Sequence, residues 1–475
     1  MKPRITLMSR EEIERLHGRA LDVLEKVGVK FNSPTALEIL AAGGCSVDRD
    51  ELSATIPAGV VEKALGSAPA RVTLAARDPE KDLVYGSGEL YFLSAAQSPF
   101  FLDLETRKRR ASTCDDLVQC ARVCDALDEI DEFCPMVVPT DIPPVLRGLQ
   151  AGVTGLKNTS KHILKSVDKR TMPFHLEILD AVLGNRTRLK ERPIFSQVVN
   201  DISPLQKDGG LVDSTLALRE YMVPVTLYYM PMAGGTAPVT LAGTMLEMTA
   251  SMLSSIVLYQ LAQPGWPIIW GAGPGILDMR SGRFGGGAET ALMSIAAVEL
   301  ARYYGLPSLS GGLGGGDAKS ISLQAGIAAV IDSLPAAMAG ADAIWGPADF
   351  DLGTLVDLPW LLIGSEVVRM IRRLLQGMAV DEEHLLFDAV EQMRFKSEYL
   401  GDPSTKRYFR QEHLLPNLFP RESYEAWEAR GLSEEQMAIA RVKEILRTHE
   451  PEPLPGEMLK ELDRVMAAAT KHLVK

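Results

Sequence analysis

"VPVTLYY" (223–229) and "WPIIWG" (266–271) are short runs of β-branched and aromatic residues, and the apolar segment 241–261 lies between them. Each run has the length and composition of a buried strand, while the segment between them is long enough for a helix. Two strands joined by such a helix lie parallel, with a right-handed crossover. Residues 223–271 therefore predict one β-α-β unit of a parallel sheet.

The same unit recurs along the chain in both directions. Strand-like runs begin near residues 90, 133, 161, 194, 224, 267, 306 and 342, and further helical patterns cover residues 115–127, 288–304 and 323–339. A spacing of roughly 30 to 40 residues is typical of successive β-α units. Eight units in succession favour a closed (β/α)8 TIM barrel over an open Rossmann sheet, and we place this barrel at residues 86–376.

Helical segments flank the predicted barrel on both sides. Ser9 and Glu12 form an S-x-x-E capping box that begins a helix ending at Gly28. The apolar face of that helix comprises Ile13, Leu16, Ala20, Leu24 and Val27. We expect residues 1–85 to form an N-terminal helical segment. Residues 377–475 are charged and amphipathic, with one helix beginning at Ser433, and we expect them to form a C-terminal helical extension.

The composition is that of an ordinary globular enzyme. Of 475 residues, 46% are hydrophobic and 24% are charged, which is enough for a full core. A net charge of −12 argues against a nucleic-acid-binding surface. The chain begins without the apolar run of a signal peptide and has no run of about eighteen uncharged apolar residues. We therefore expect a cytoplasmic protein with no membrane span.

In a barrel of this type, the catalytic groups lie at the carboxyl ends of the strands. The predicted ends are rich in glycine and amide groups and hold no histidine, which argues against a Ser-His-Asp hydrolase and a histidine-based zinc site. The five cysteines show no CxxC spacing, so we predict that side chains of this chain bind no metal. The stretch "LSGGLGGGDAKS" (309–320) differs from a nucleotide-binding P-loop because Asp317 and Ala318 separate Gly316 from Lys319.

Longer segments resemble the trimethylamine methyltransferase family. "GGTAPVTLAG" (234–243) and "ELARYYGLP" (299–307) are the most specific, and "GGDAKSISLQAG" (315–326) also matches. The resemblance implies a TIM barrel that binds a methylated substrate and delivers the methyl group to the Co(I) of a separate corrinoid protein, with no cofactor bound by this chain. Because the chain is written in the twenty ordinary residues, it resembles the non-pyrrolysine branch, whose members demethylate quaternary amines such as glycine betaine.

The strand ends and the resemblance together give a candidate site. The predicted catalytic residues are Tyr229, Asp317 and Lys319. Aromatic faces, carboxylates and amides would bind the substrate, and these are Gln97, Asn200, Asp201, Tyr228, Trp270, Trp345, Phe350 and Asp351. Glycines at the rim would leave room for the wide corrin ring, and these are Gly234, Gly235, Gly273, Gly314, Gly315 and Gly316.

Two alternatives stay open. The family usually carries an Asn-x-Glu pair where this chain has Thr249 and Ser251, and the loss of a carboxylate favours a neutral substrate such as an aryl methyl ether. A phenolate leaving group needs an acid or a cation, which Lys165, Lys319 or Tyr229 would supply. The other alternative is a non-enzymatic binder on a retained barrel. In either case we expect a homo-oligomer that binds a corrinoid protein and a small molecule.

Overall fold

Eight parallel strands form the centre of the molecule. The computed structural model describes residues 3–95, 97–395 and 398–474. The strands are Tyr91–Phe92 (β1), Glu132–Phe133 (β2), His162–Lys165 (β3), Phe195–Asn200 (β4), Val225–Tyr229 (β5), Ile268–Ala272 (β6), Ser308–Gly312 (β7) and Ala343–Trp345 (β8). Each begins within two residues of its predicted position. The prediction of eight parallel strands is confirmed.

The strands follow one another around a barrel in chain order. Neighbours from β2 to β8 pair in parallel, and β8 pairs with β1 through Ala343 and Tyr91. A parallel bridge between Leu93 and Glu132 joins β1 to β2 and completes the ring. Sequential pairing of this kind distinguishes a (β/α)8 barrel from an open doubly wound sheet, so the predicted fold class is confirmed.

Each strand is followed by a helix on the outside of the barrel. These helices are Cys114–Asp125 (α1), Arg147–Asn158 (α2), Met172–Leu183 (α3), Gly209–Leu216 (α4), Leu241–Ala262 (α5), Ala288–Tyr303 (α6), Leu323–Ala339 (α7) and Leu358–Gln376 (α8). In the described part of the chain one helix, α5, is long and apolar enough to cross a membrane, but 78% of its apolar window is buried. The N-terminal helices cover it, as expected for a core helix.

The N-terminal segment is mixed rather than purely helical, which corrects the prediction. Its helices are Arg10–Lys26, Pro34–Ala42 and Ala58–Ser67, and its strands are Val29–Phe31, Ser46–Asp48, Ser53–Thr55, Val72–Leu74 and Leu83–Tyr85. The capping box between Ser9 and Glu12 is present in both directions. Val27 is 68% exposed because the helix ends one residue before it. Strands of three residues are too short to show an alternating pattern, so the sequence does not reveal them.

The strands Val72–Leu74 and Leu83–Tyr85 form a hairpin, here called the bottom hairpin, that closes the amino-terminal end of the barrel. Its apolar side chains share a buried cluster with inward-facing residues such as Leu164 of β3 and Ile269 of β6. The Tyr85 hydroxyl donates a hydrogen bond of 2.6 Å to Glu132 at the start of β2. Access to the barrel interior is therefore from the carboxyl end.

Two small sheets form the walls of that carboxyl end. One contains Met232–Ala233, Gly275–Leu277 and Phe284–Gly285, and the other contains Phe100–Leu102, Arg109–Ala111, Asp349–Phe350 and Leu355–Val356. A further short strand, Gln206–Lys207, pairs with the N-terminal sheet. The loops after the strands are thus held by backbone pairing, which fixes the side chains they present.

Helices also form the C-terminal extension. They are Glu382–Leu385, Phe387–Met393, Pro403–Glu412, Tyr424–Arg430, Glu434–Thr448 and Gly456–Leu473. The helix predicted at Ser433 begins there, with Ser433 and Gln436 forming a capping box. The last two helices pack against barrel helices, whereas Phe387 and Tyr424 of the preceding ones are exposed. The expected homo-oligomer stays a prediction.

Candidate functional site

A cavity of about 630 Å³ lies at the carboxyl end of the barrel. Inward-facing Cys134 and Val198 line it deep in the barrel, and the loops after β5 to β8 form its walls. Its polar and aromatic lining consists of Gln97, Asn200, Tyr228, Phe284, Thr290, Ser294, Asp332, Trp345 and Asp349. Its volume is in the usual range for a small-molecule site, and its position is that of the catalytic site in barrel enzymes.

Aromatic rings form one side of the cavity. Tyr228 at the end of β5 and Trp345 at the end of β8 meet edge to face, with ring centroids 5.3 Å apart. The Phe284 ring lies against Gly275, where a Cβ would come within 2.2 Å of it. The faces of such rings carry partial negative charge, which attracts cations.

Asp349 supplies a carboxylate to the cavity from the loop after β8. A Cβ at Gly314 would lie 2.3 Å from Asp349 Oδ1, so the carboxylate occupies the space that a side chain at Gly314 would need. The Gly315 N–H donates to the Asp349 carbonyl at 2.8 Å and fixes the loop. Burial raises the pKa of Asp349 to about 6. The group is ionised above that pH, and ionised more readily when a cation is beside it.

Asp332 supplies a second carboxylate, from α7. Its Oδ1 atom is buried and has no hydrogen-bond partner among the described residues, and the same holds for the hydroxyl of Thr290 on α6. Burial raises the pKa of Asp332 to about 7, against the lowering effect of the Gly287 N–H. Among the described residues that line the cavity there is no arginine, lysine or histidine, so no basic side chain of this lining neutralises its acidic groups.

Several predicted residues do line this cavity. They are Gln97, Asn200, Tyr228, Trp345, Gly273, Gly314 and Gly316. Sequence reasoning missed Phe284, Thr290, Asp332 and Asp349, although Asp349 lies between Trp345 and Asp351, which were both predicted to bind the substrate. Asp332 is on a helix, ten residues into α7, and therefore outside any search confined to strand ends.

Four other predicted residues lie outside the cavity. Side chains alternate along a strand, so Tyr229 points away from the cavity that Tyr228 lines, and its hydroxyl donates to Glu247 at 2.5 Å. Asp201 forms a buried ion pair with Lys207. Trp270 packs against Tyr304, and Phe350 packs against Trp360. None of these four is among the described residues that line the cavity, and their predicted roles in catalysis and substrate binding stay predictions.

The predicted group at Asp317, Lys319 and Asp351 lies on the rim outside the cavity lining. Lys319 is exposed and its ammonium lies 2.8 Å from Asp351, which also pairs with Arg283. Partial burial by itself raises the pKa of the Asp351 carboxyl. Hydrogen bonds from Lys319 and Arg283 outweigh this effect and lower the pKa of Asp351 to about 2. Asp317 accepts from Lys319 through its backbone carbonyl. Asp351 is thus neutralised by surface cations.

The glycines predicted to face a corrin have nearer neighbours within the chain. A Cβ at Gly315 would lie 2.3 Å from the Phe350 ring, and a Cβ at Gly235 would lie 2.4 Å from Met232. Gly234 has a positive φ of 81° and neighbours Met279. Glycine at these positions makes room for the chain's own side chains, and the proposed approach of a corrin ring stays a prediction.

Two departures from the family pattern fall on α5 and do not line the cavity. The Thr249 hydroxyl donates to the Met245 carbonyl, and Ser251 contacts Asp201 and Lys207. The carboxylates of the cavity come instead from Asp332 and Asp349. Among the described residues no group of three His, Cys, Asp or Glu side chains is placed to hold a metal ion.

The chain is similar to known methyltransferases. A family model described as trimethylamine methyltransferase (MTTB) matches residues 1–473. The trimethylamine methyltransferase MttB of Desulfitobacterium hafniense (strain DSM 10664 / DCB-2) is 32% identical and aligns with 96% of this chain and 92% of its own length. The glycine betaine methyltransferase of Desulfitobacterium hafniense (strain Y51) is 30% identical over 99% of this chain and 98% of its own length.

Solved structures also align with the chain. The crystal structure of the Methanosarcina barkeri monomethylamine methyltransferase (MtmB) covers 98% of this chain and 93% of its own, with a TM-score of 0.48 and 13% identity. The family model and the two curated relatives each extend over nearly the whole sequence. The chain therefore belongs to the trimethylamine methyltransferase family and is a methyltransferase.

Proposed function

We propose that this enzyme transfers a methyl group from an N-methylated ammonium compound to the Co(I) of a corrinoid carried by a separate protein. One observation carries the proposal: aromatic faces and two partly buried carboxylates line a single cavity, and no basic side chain is among its described lining residues. Such a cavity attracts a cation and repels an anion. By their names, two relatives act on trimethylamine and glycine betaine.

An ammonium nitrogen makes a methyl carbon reactive without help from an acid. A quaternary ammonium leaves as a neutral amine, so no proton has to be supplied to the leaving group. Tyr228 and Trp345 would hold the cation through their rings while Asp349 balances its charge. The enzyme's contribution is to fix the methyl carbon in a reactive orientation.

The described lining of the cavity holds no competent nucleophile. Cys134 is the thiol that lines it, but burial raises the pKa of Cys134 well above neutrality, so the reactive thiolate does not form. The methyl acceptor must therefore enter from outside, through the open carboxyl end. A corrinoid brought by a partner protein would supply a strongly nucleophilic cobalt there.

The three residues expected to assist an aryl ether substrate do not line the cavity. Lys165 is buried outside the barrel beside His175, at 2.9 Å. Lys319 is on the rim with Asp351, and Tyr229 is bonded to Glu247. A phenolate leaving group would thus meet two carboxylates and no cation among the lining residues. This distribution of charge favours an amine substrate.

Two aspartates in one loop offer a matched test. Asp349→Asn removes a carboxylate in the cavity, whereas Asp351→Asn removes one on the rim. With tetramethylammonium, choline or glycine betaine as donor and Co(I)-cobalamin or the corrinoid protein as acceptor, we expect the wild type to form methylcobalt, measured by absorbance. Asp349→Asn should reduce kcat/KM by roughly a hundredfold, the loss of a buried charge interaction, and Asp351→Asn by less than about threefold.

The same assay can contradict the proposal. Methyl transfer from 2-methoxyphenol with none from any ammonium donor would show that the enzyme acts on ethers. Equal effects of the two substitutions would show that the cavity carboxylate has no special part in binding. Formation of methylcobalt without enzyme is the background to subtract.

A further inference from the structure

Asp332 is a partly buried carboxylate that transfer from a simple ammonium ion does not use. We infer that the substrate carries, besides its methylated cationic nitrogen, a second group that donates a hydrogen bond, and that this group binds Asp332 and Thr290. The substrate would be an N-methylated amino alcohol or diamine. This inference rests on the proposed function and specifies the substrate class for the same cavity.

The first support is a pair of polar atoms without partners. Asp332 Oδ1 and Thr290 Oγ1 are both buried, and neither has a hydrogen-bond partner among the described residues. Both residues line the cavity. Most buried polar atoms in folded proteins are paired, and leaving one unpaired is costly. A carboxylate oxygen accepts and a threonine hydroxyl both donates and accepts, so a turn of these side chains toward the cavity would let a hydroxyl or ammonium group of the substrate satisfy them.

The second support is the position of Asp332 relative to Asp349. Asp332 belongs to the wall formed by α6 and α7, where its Oδ2 lies 3.6 Å from the ideal Cβ position of Gly286. Asp349 belongs to the loop after β8, beside Gly314 and Gly353. A cavity of about 630 Å³ is large enough for a ligand that reaches both walls.

The third support is the charge of the lining. One ammonium nitrogen can neutralise one carboxylate, and the lining holds a second carboxylate with no basic side chain to balance it. A substrate carboxylate, as in a betaine, would add a third negative group in a poorly solvated site. A hydroxyl or a second ammonium removes this repulsion. The lining therefore favours a substrate whose second group donates a hydrogen bond over a substrate whose second group is a carboxylate.

Binding to the intact enzyme tests the inference without a methyl acceptor. Calorimetric titration would compare choline, 2-aminoethyltrimethylammonium and glycine betaine with propyltrimethylammonium, which has the size of choline but no donor. In the wild type we expect choline or the aminoethyl compound to bind roughly tenfold or more tightly than the propyl compound, the effect of one hydrogen bond to a charged group. The tighter of the two identifies the donor as hydroxyl or ammonium.

Variants link that preference to the two side chains. The measured quantity is the dissociation constant of propyltrimethylammonium divided by that of choline or the aminoethyl compound. Asp332→Ala should reduce this ratio to about one, and Asp351→Asn on the rim should leave it unchanged. Thr290→Val, which keeps the side-chain shape, should weaken choline more than the aminoethyl compound because a hydroxyl can also accept a hydrogen bond. It serves as the second variant if Asp332→Ala does not fold.

Three results would overturn the inference. Glycine betaine binding more tightly than choline would show that a carboxylate is accepted. A preference for the donor compounds that survives Asp332→Ala would place their hydroxyl or amine elsewhere. Failure of every ammonium compound to bind would contradict the proposed function as well, whereas the first two results leave ammonium binding itself intact.

Discussion

The pKa of Asp349, which burial raises to about 6, lies within the range in which the enzyme can be assayed. A cation binds the ionised carboxylate, and that form is lost as the pH falls through the pKa. We expect the dissociation constant of tetramethylammonium to increase by roughly tenfold per pH unit below about 6. Calorimetric titration between pH 5 and pH 8 measures this change.

Asp349→Asn is the control for that profile. The variant should lose the change centred near pH 6 and keep only the smaller contribution of Asp332, whose pKa burial raises to about 7. A wild-type dissociation constant that does not vary from pH 5 to pH 8 would show that Asp349 does not face the bound cation.

At the scale of single residues, the sequence predicted the types of side chain better than their identities. Asp349 and Asp351 stand in the same segment, and only the fold shows that the first lies in the cavity and the second among surface cations. Tyr228 and Tyr229 are a second such pair, because the sequence of β5 does not show which of the two lines the cavity. In a strand buried on both faces, no alternation of polar and apolar residues reveals which side faces the axis.

Among the elements, the loop after β7 offers a test of how backbone packing positions a functional group. Gly314→Ala places a Cβ 2.3 Å from Asp349 Oδ1 and must displace that carboxylate. We expect the variant to lose at least tenfold in affinity for tetramethylammonium while its melting temperature changes little, because the displaced group lies beside open space in the cavity.

Gly326→Ala in α7 is the matched control for this substitution. A Cβ there has no neighbour within 4 Å, so alanine should leave binding unchanged and stabilise the helix by about 0.5–1 kcal/mol. If Gly314→Ala binds the cation as the wild type does, the carboxylate is not held where binding needs it. Gly315 is unsuitable for such a test because its substitution would disturb the core at Phe350.

The elements that the sequence predicted share one property. The barrel strands lie in long apolar runs with helices between them, and α7 was predicted with its observed bounds, Leu323–Ala339. The short strands beside the mouth, such as Leu355–Val356, depend on pairing with distant residues, here Phe100 and Phe101. Pairing across the fold leaves no local pattern in the sequence, so those elements could not be predicted.

For the molecule as a whole, we expect the amino-terminal end of the barrel to contribute to stability and the carboxyl end to bind the substrate. Tyr85 of the bottom hairpin donates to Glu132, whose pKa burial raises to about 8. Tyr85→Phe leaves Glu132 without this donor and should lower the free energy of unfolding by about 1–2 kcal/mol. Urea denaturation measures the loss. Affinity for tetramethylammonium should stay the same, since the cavity lies at the opposite end.

A Tyr85→Phe variant with unchanged stability would show that the hydrogen bond to Glu132 is replaced, for example by water. A weakened affinity would show instead that the bottom hairpin shapes the cavity. Tyr91, whose ring stacks on Tyr85 at 5.5 Å, keeps its contact with phenylalanine, so the substitution isolates the hydroxyl.

The bottom hairpin also has a consequence for the order of binding steps in the proposed reaction. Because it closes the amino-terminal end, the proposed methylated compound and acceptor protein would have to use the same entrance. The small compound would have to arrive first, and the demethylated amine could not leave while the proposed partner covered the opening. Turnover would then follow a compulsory order of arrival and departure, and the residence time of the acceptor protein would set its upper limit.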